Sequence, residues 1–306
     1  MWLQRWQLKR DLERLRPGFV SRFGGLWPDR KNSSSLNQNR PLPWLQSWRE
    51  QGFVCFPNAV SHADCDDVLQ DMSSMLRPGS PGLIERGGIT FEVGSQELQP
   101  GDKLLDLYAH SPAARKATFS ATAATFLTEL FEGDALAFQG LSFNQGSVQD
   151  LHQDTAYVVV NSPLEFVASW LALEDVKRGS GELRYMPGSH RIEEFLFDGK
   201  RRSWNRKKDG DASHQQFLNH LVMQCERKGL REERFLARKG DLFFWHAELV
   251  HGGSPITLAN STRKSLVTHF CPARCFPYYA GYSPRAKQRF EHQPGRWFSS
   301  KWHSFA

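Results

Sequence analysis

The sequence predicts a mostly β domain with flanking helices, a jelly-roll barrel buttressed by α-helices. Three observations point there. From Ala135 onward, short apolar runs rich in β-branched and aromatic residues recur at 135–144, 151–160, 165–174, 182–187, 241–246 and 264–271. Turn residues separate them, as in Asn144-Gln145-Gly146, Asn161-Ser162-Pro163, Gly179-Ser180-Gly181 and Gly252-Gly253-Ser254-Pro255. Two helices with start and stop signals precede these strands, an order that suits a barrel backed by helices.

Each earlier element has its own justification. Residues 1–16 place Trp2, Trp6, Leu8, Leu12 and Leu15 among basic residues, an amphipathic helix that Pro17 stops. Residues 28–43 read as a loop. Gly52-Phe53-Val54-Cys55-Phe56-Pro57 reads as a short strand. Ser61 is a suitable N-cap for a helix whose apolar positions are Cys65, Val68, Leu69, Met72, Met75 and Leu76. A second helix begins at Ser111-Pro112, ends before Gly133, and turns Phe119, Ala123, Phe126, Leu127 and Leu130 inward. The expected organisation is an N-terminal extension (1–45), a main domain (46–280) with an insertion at 196–239, and a basic tail (281–306).

Bulk properties narrow the class. The chain is 40% hydrophobic with ten Trp and 22 Phe, so it can bury a core. No run approaches the roughly 18 apolar residues of a membrane span, and the N-terminus shows no secretory signature. Five cysteines without a paired framework suit a reducing compartment, and the cytoplasm is the expectation. The net charge of +6 sits in one place: residues 196–239 hold twelve Lys/Arg against six Asp/Glu. That segment reads as a solvated insertion, or as a lid that recruits an anionic substrate. No nucleic-acid module accompanies the charge.

The most informative motif is His152-Gln153-Asp154, in the run Leu151–Val160. On a strand, residues i and i+2 share a face, which sets an imidazole beside a carboxylate. His251 follows 99 positions later, after another strand-like run, Gly240–His246. Two histidines and a carboxylate on one side of a metal form the facial triad of non-haem Fe(II) oxygenases. His246 is the rival third ligand; the Gly252-Gly253 turn and the spacing to Arg263 favour His251. His190, after Pro-Gly-Ser, reads as securing a turn, and His269 as a satisfied core or wall histidine.

The motifs, taken in order, resemble the phytanoyl-CoA dioxygenase family of Fe(II)/2-oxoglutarate-dependent oxygenases. The matching segments are Gly52-Phe53-Val54, Leu151–Thr155, Trp170–Leu173, Met186–His190, Gly240–His246, His251–Pro255 and Arg263-Lys264-Ser265, within about residues 50–275. The resemblance implies a double-stranded β-helix (jelly-roll, cupin-like) with Fe(II) held by His152, Asp154 and His251. It implies that Arg263 pairs with the C5 carboxylate of 2-oxoglutarate, which suits a planar guanidinium fork. Trp170 matches the family's aromatic beside this cosubstrate. Ser254, Thr155, Gln139 and Asn144 are candidates for further polar contacts to it.

The implied activity is hydroxylation of an unactivated C–H bond of a small organic substrate, with O2 consumed and succinate and CO2 released. A carboxylate at position 154 argues against halide transfer, because the family's halogenating relatives carry a small residue there. Two other readings stand beside it. One is a non-catalytic metal-binding jelly roll; the other is a metalloenzyme using these ligands without 2-oxoglutarate. Substrate identity and oligomeric state are not legible in the sequence.

Overall fold

The computed structural model describes residues 42–162, 164–277 and 288–305. The helix expected at 1–16, most of the loop expected at 28–43 and the start of the C-terminal tail lie outside them.

The chain opens with α1 (Leu45–Gln51) and β1 (Phe53–Phe56), then α2 (His62–Met75). The Ser61 hydroxyl caps α2 by accepting from Asp64 N–H at 3.1 Å. Strands β2 (Leu83–Arg86), β3 (Ile89–Glu92) and β4 (Lys103–Leu105) follow. The helix expected after Ser111 is two helices, α3 (Pro112–Thr118) and α4 (Ala121–Phe131). Ser120 starts the second as a new N-cap, its hydroxyl accepting from Ala123 N–H. A continuous apolar period does not reveal such a restart.

The remaining elements are β5 (Ala135–Phe143), β6 (Val167–Ala172), β7 (Leu183–Tyr185), α5 (Arg206–Arg227), β8 (Glu233–Phe235), β9 (Leu242–His246), β10 (His251–Gly253), β11 (Ser265–Pro272), β12 (Arg289–Gln293) and β13 (Arg296–Ser299). Five of the six strands expected after Ala135 are present. The exception is 151–160, which makes only two isolated bridges, His152 with His251 and Val160 with Pro277, separated by a 3-10 turn at Asp154–Ala156. Its apolar residues Val158 and Val160 are buried in a cluster with Phe138 and Phe166 instead. Their hydrophobicity reports burial, not a strand ladder.

The strands form two facing sheets. The larger runs β1-β9-β6-β11-β5-β4-β2-β3, with the β12–β13 hairpin attached to β5 through β13. The smaller is β10-β7-β8. Together they make the mostly β, helix-backed jelly roll that the sequence predicts. The pleat sorts side chains between the two faces of the large sheet. Phe244, Leu266 and Phe270 meet Val68 and Met72 of α2 and Phe126 and Leu127 of α4. Trp170, Phe243, Trp245 and Val267 point the other way, toward Leu183 and Tyr185 of the small sheet. Burying one such aromatic contributes roughly 1.5–3 kcal/mol.

Residues 288–305, expected as part of a separate tail, belong to this fold. Phe298 is fully buried, and the Ser300 hydroxyl donates to Asp106. Parallel pairing of β13 with β5 is what brings them in.

Candidate metal centre

His152 and His251 face each other across a two-residue bridge. His152 N–H donates to His251 O at 2.9 Å, and His251 N–H donates back to His152 O at 3.0 Å. This pairing extends the small sheet by one position and sets the two imidazoles 4.4 Å apart, centroid to centroid. Asp154 reaches the same point by a different route from the pleat. The chain turns after Gln153, with Tyr157 N–H donating to Asp154 O at 2.9 Å, and the Gln153 amide is anchored away on Glu248 O. The turn, not an i/i+2 strand relation, brings the carboxylate beside the imidazoles.

The hydrogen bonds assign the protons. His152 Nδ1 lies 2.7 Å from Asp150 O and His251 Nδ1 lies 2.9 Å from Leu249 O. A carbonyl only accepts, so each Nδ1 carries the proton and each Nε2 offers a lone pair inward. Both Nε2 atoms point at Asp154 Oδ1, at 3.7 and 3.6 Å. Burial, foremost, pushes His251 down to about 4, against the pull of Asp154, so the ring is neutral. Burial also opposes charge on Asp154, yet its carboxyl is held well below the usual carboxylate range, because a proton entering the site settles on a surrounding histidine and the imidazolium then opposes protonation of the carboxylate.

The result is a buried anion facing lone pairs. The Gln149 amide donates to His152 Nε2 at 3.2 Å, a bond that a metal ion would displace. Donor atoms of His152, Asp154 and His251 all lie within 4.8 Å of one another. Such an N2O set fits a divalent transition metal. Imidazoles that donate their other N–H to backbone carbonyls are the usual support for metal-binding histidines.

The triad lines a cleft of about 480 Å³ between the two sheets. Phe143, Trp170, Leu183 and Val267 supply apolar wall, and Arg263 lies in the same cleft. Arg263 is only 3% exposed, and its guanidinium stands over the rings of Phe143 and Trp170 at 5.3 and 5.4 Å. Burial lowers its pKa to about 10, so it stays charged at neutral pH. Its Nε has no hydrogen-bond partner among the described residues. A buried cation without a carboxylate partner is costly, and an incoming carboxylate relieves that cost.

The other candidate residues are dispersed. Thr155 lines a separate cleft with Val158, Leu164, Phe166 and Arg202. Asn144 lines another, with Met72 and Asp102, and only its backbone oxygen reaches Arg263, accepting from its N–H at 3.1 Å. Gln139 is half-buried on β5, opposite His269 on β11. Ser254 is buried just beyond β10; its N–H donates to Glu182 O and its hydroxyl has no described partner.

The rival His246 faces the opposite side of β9 from Trp245, against Trp48 and His190. His190 Nε2 lies 3.1 Å from Arg49 O, tying its turn to α1. Sequence reasoning did not single out Trp245, and it read His269 as a satisfied histidine, whereas neither ring nitrogen has a hydrogen-bond partner among the described residues. Both line the cleft, and Trp245 Nε1 donates to Asp154 Oδ2 at 2.8 Å. The available signal was parity: 267 and 269 share a face on β11, as 243 and 245 do on β9.

The basic insertion lies over this centre. The hydroxyl of Tyr157, whose ring is 5.5 Å from His152, is hydrogen-bonded to His214 of α5 at 2.7 Å, and Trp204 stacks on His214. Much of its positive charge is already engaged. Arg201 pairs with Asp209, Arg202 with Glu194 and Glu248, and Arg206 with Asp211.

Comparison with known proteins agrees with this geometry. Residues 48–265 match the model of the family described as phytanoyl-CoA dioxygenase (PhyH). Peroxisomal phytanoyl-CoA dioxygenase of Bos taurus is 25% identical over 268 residues, 84% of this chain and 76% of that protein. The Homo sapiens protein of the same name is 24% identical over 240 residues, 74% of this chain and 67% of its own length. Among solved structures, the non-haem alpha-ketoglutarate-dependent carbocyclase SnoK from nogalamycin biosynthesis superposes with a TM-score of 0.58 at 20% identity, covering 80% of this chain and 88% of its own. EctD from S. alaskensis, solved with bound Fe, gives 0.55 at 14% identity over 76% of each chain. At those identities the structural likeness carries the fold, and the family match carries membership: the chain belongs to the phytanoyl-CoA dioxygenase (PhyH) family of Fe(II)- and 2-oxoglutarate-dependent oxygenases.

Proposed function

We propose that the protein hydroxylates an unactivated C–H bond of a small organic substrate, consuming O2 and 2-oxoglutarate and releasing succinate and CO2. His152, Asp154 and His251 hold the iron, and Arg263 takes the C5 carboxylate of 2-oxoglutarate. Bound ferrous iron would supply the oxygen activation. The residues of this chain orient, charge-match and exclude water.

One observation supports this reading above the others. A buried guanidinium and a buried His/Asp/His set, each in need of an oppositely charged ligand, share a single apolar cleft. A metal-binding module or a 2-oxoglutarate-independent enzyme gives no reason for the cation. Trp170 and Phe143 flank it as flat walls. The carboxylate at 154 fills the position that halide transfer would need free. Thr155, Gln139, Asn144 and Ser254 are weaker candidates for cosubstrate contacts, since none of them is among the residues that line the cleft.

Recruitment of an anionic substrate by the insertion would fall to its lysines, because Arg201, Arg202 and Arg206 already have carboxylate partners. Lys200, Lys207 and Lys208 are exposed cations just before and at the start of α5. All five cysteines are free, which fits the cytoplasmic placement we propose. Among the described residues, no helix is long and apolar enough to cross a membrane.

The test is spectroscopic first. Anaerobic protein with Fe(II) and 2-oxoglutarate should show a weak visible charge-transfer band that R263L lacks at the same cosubstrate concentration. A metabolite screen for stimulated succinate release, with mass detection of an oxygenated product, then identifies the substrate. Iron-loaded protein without the band, or turnover indifferent to 2-oxoglutarate, contradicts the reading.

A further inference from the structure

We propose that His269 is a positioning residue that clamps the metal-binding carboxylate of Asp154. The proposal rests on the reading of His152, Asp154 and His251 as the ligand set.

His269 sits on β11, opposite Gln139 of β5 and Ala168 of β6. The β11–β5 register shifts between His269 and Phe270. Irregularities of this kind re-aim a side chain and recur beside active sites. The ring is 4% exposed, and neither of its nitrogens makes a hydrogen bond among the described residues. Two idle polar atoms in a buried ring are costly, so such a group calls for a partner.

The nearest candidate is Asp154. His269 Nε2 lies 3.5 Å from Asp154 Oδ2, the oxygen that already accepts from Trp245 Nε1. The two carboxylate oxygens thus divide their surroundings. Oδ1 faces the Nε2 atoms of His152 and His251, and Oδ2 faces Trp245 on β9 and His269 on β11.

A carboxylate that offers one oxygen to a metal is otherwise free to rotate about its last torsion, which is broad and soft. Donors on the other oxygen remove that freedom and keep the ligand aimed. Trp245 supplies one donor. His269, in the tautomer protonated at Nε2, supplies the second from the neighbouring side of the cleft after an adjustment of about half an ångström to ordinary hydrogen-bond length.

Co(II) titration of the full-length protein, followed by visible absorption and calorimetry, tests the clamp. H269L should bind Co(II) about tenfold more weakly than wild type, the usual scale for lost support of a metal ligand. H269Q, whose amide N–H reaches toward the same oxygen, should recover most of that loss at the same apoprotein melting temperature. A purely structural role would not separate these two variants. If H269L does not fold, H269N replaces it, since its amide is one methylene shorter.

H269L binding as tightly as wild type, or H269Q binding as weakly as H269L, overturns the proposal. Wild-type protein that binds no Co(II) overturns the ligand set itself, so the two failures are distinguishable.

Discussion

Trp245 and Asp154, 91 residues apart in sequence, are joined by an indole N–H that donates to Oδ2 at 2.8 Å. That bond leaves Oδ1 as the oxygen facing both imidazoles. A tryptophan on one strand of the large sheet therefore orients a carboxylate carried by a turn outside it.

Removing the carboxylate should remove the metal. D154A should abolish Co(II) and Fe(II) binding at micromolar ion, and with it substrate-coupled succinate formation. W245F should keep binding but weaken it about tenfold, since the carboxylate stays while its support is lost. Calorimetric titration checks both; succinate release by D154A equal to wild type would remove Asp154 from the site.

Arg263 yields a prediction about stability as well as binding. Arg263 is buried and pairs with no carboxylate among the described residues, so R263M should leave the apoprotein as stable as wild type, or more so. Added to Mn(II)-loaded protein, 2-oxoglutarate should then raise the wild-type melting temperature further and give R263M little or no additional rise. At a ligand concentration a hundredfold above Kd the wild-type gain is about 2.7 kcal/mol. Equal thermal shifts for the two proteins would place the cosubstrate carboxylate elsewhere.

Burial pushes His190 down to about 4, foremost through loss of solvent. The unfolded chain binds a proton on this residue near pH 6.5, while the folded protein refuses it until about pH 4. Stability from this group is therefore present above pH 6.5 and lost as pH falls toward 4, by up to about 3 kcal/mol. Urea midpoints between pH 7 and pH 4.5 should fall, and the fall should be shallower in H190N. Parallel slopes for the two proteins would count against a buried neutral imidazole.

Gly52 and His190 form one joint. Gly52 ends α1 with φ +80°, and a β-carbon there would stand 2.4 Å from His190 Nδ1. G52A should cost about 1–3 kcal/mol, from left-handed backbone and collision together. In an H190A background the collision is gone and only the backbone cost remains, about 1 kcal/mol. Denaturant midpoints of the four proteins give the coupling, and additivity would show that the imidazole is not what the glycine makes room for.

Several features were legible because they are local. Ser61 and Ser111 marked helix starts through their own hydroxyls, and both caps are present. Alternating apolar runs marked β5, β6, β9 and β11 to within about two residues at most ends. The residues of the candidate triad stood out by type and order. Where local signals are shared by two outcomes, they misled. The apolar run after Asp154 is buried without being a strand, and the apolar period spanning α3 and α4 conceals a second cap at Ser120.

By itself the sequence marked β1, β5, β6, β7, β9 and β11, the capped helix starts at Ser61 and Ser111, the candidate His/Asp/His residues at 152, 154 and 251, and a cation twelve residues beyond the last of them. Tertiary structure alone decided that Arg263 lies buried in the same cleft as the triad, that Asn144 and Thr155 face other cavities, and that Trp245 and His269 flank Asp154. The reason is geometric. Local chemistry sets which bonds a residue can make, whereas sheet register and the facing of two sheets set which residues are near enough to make them.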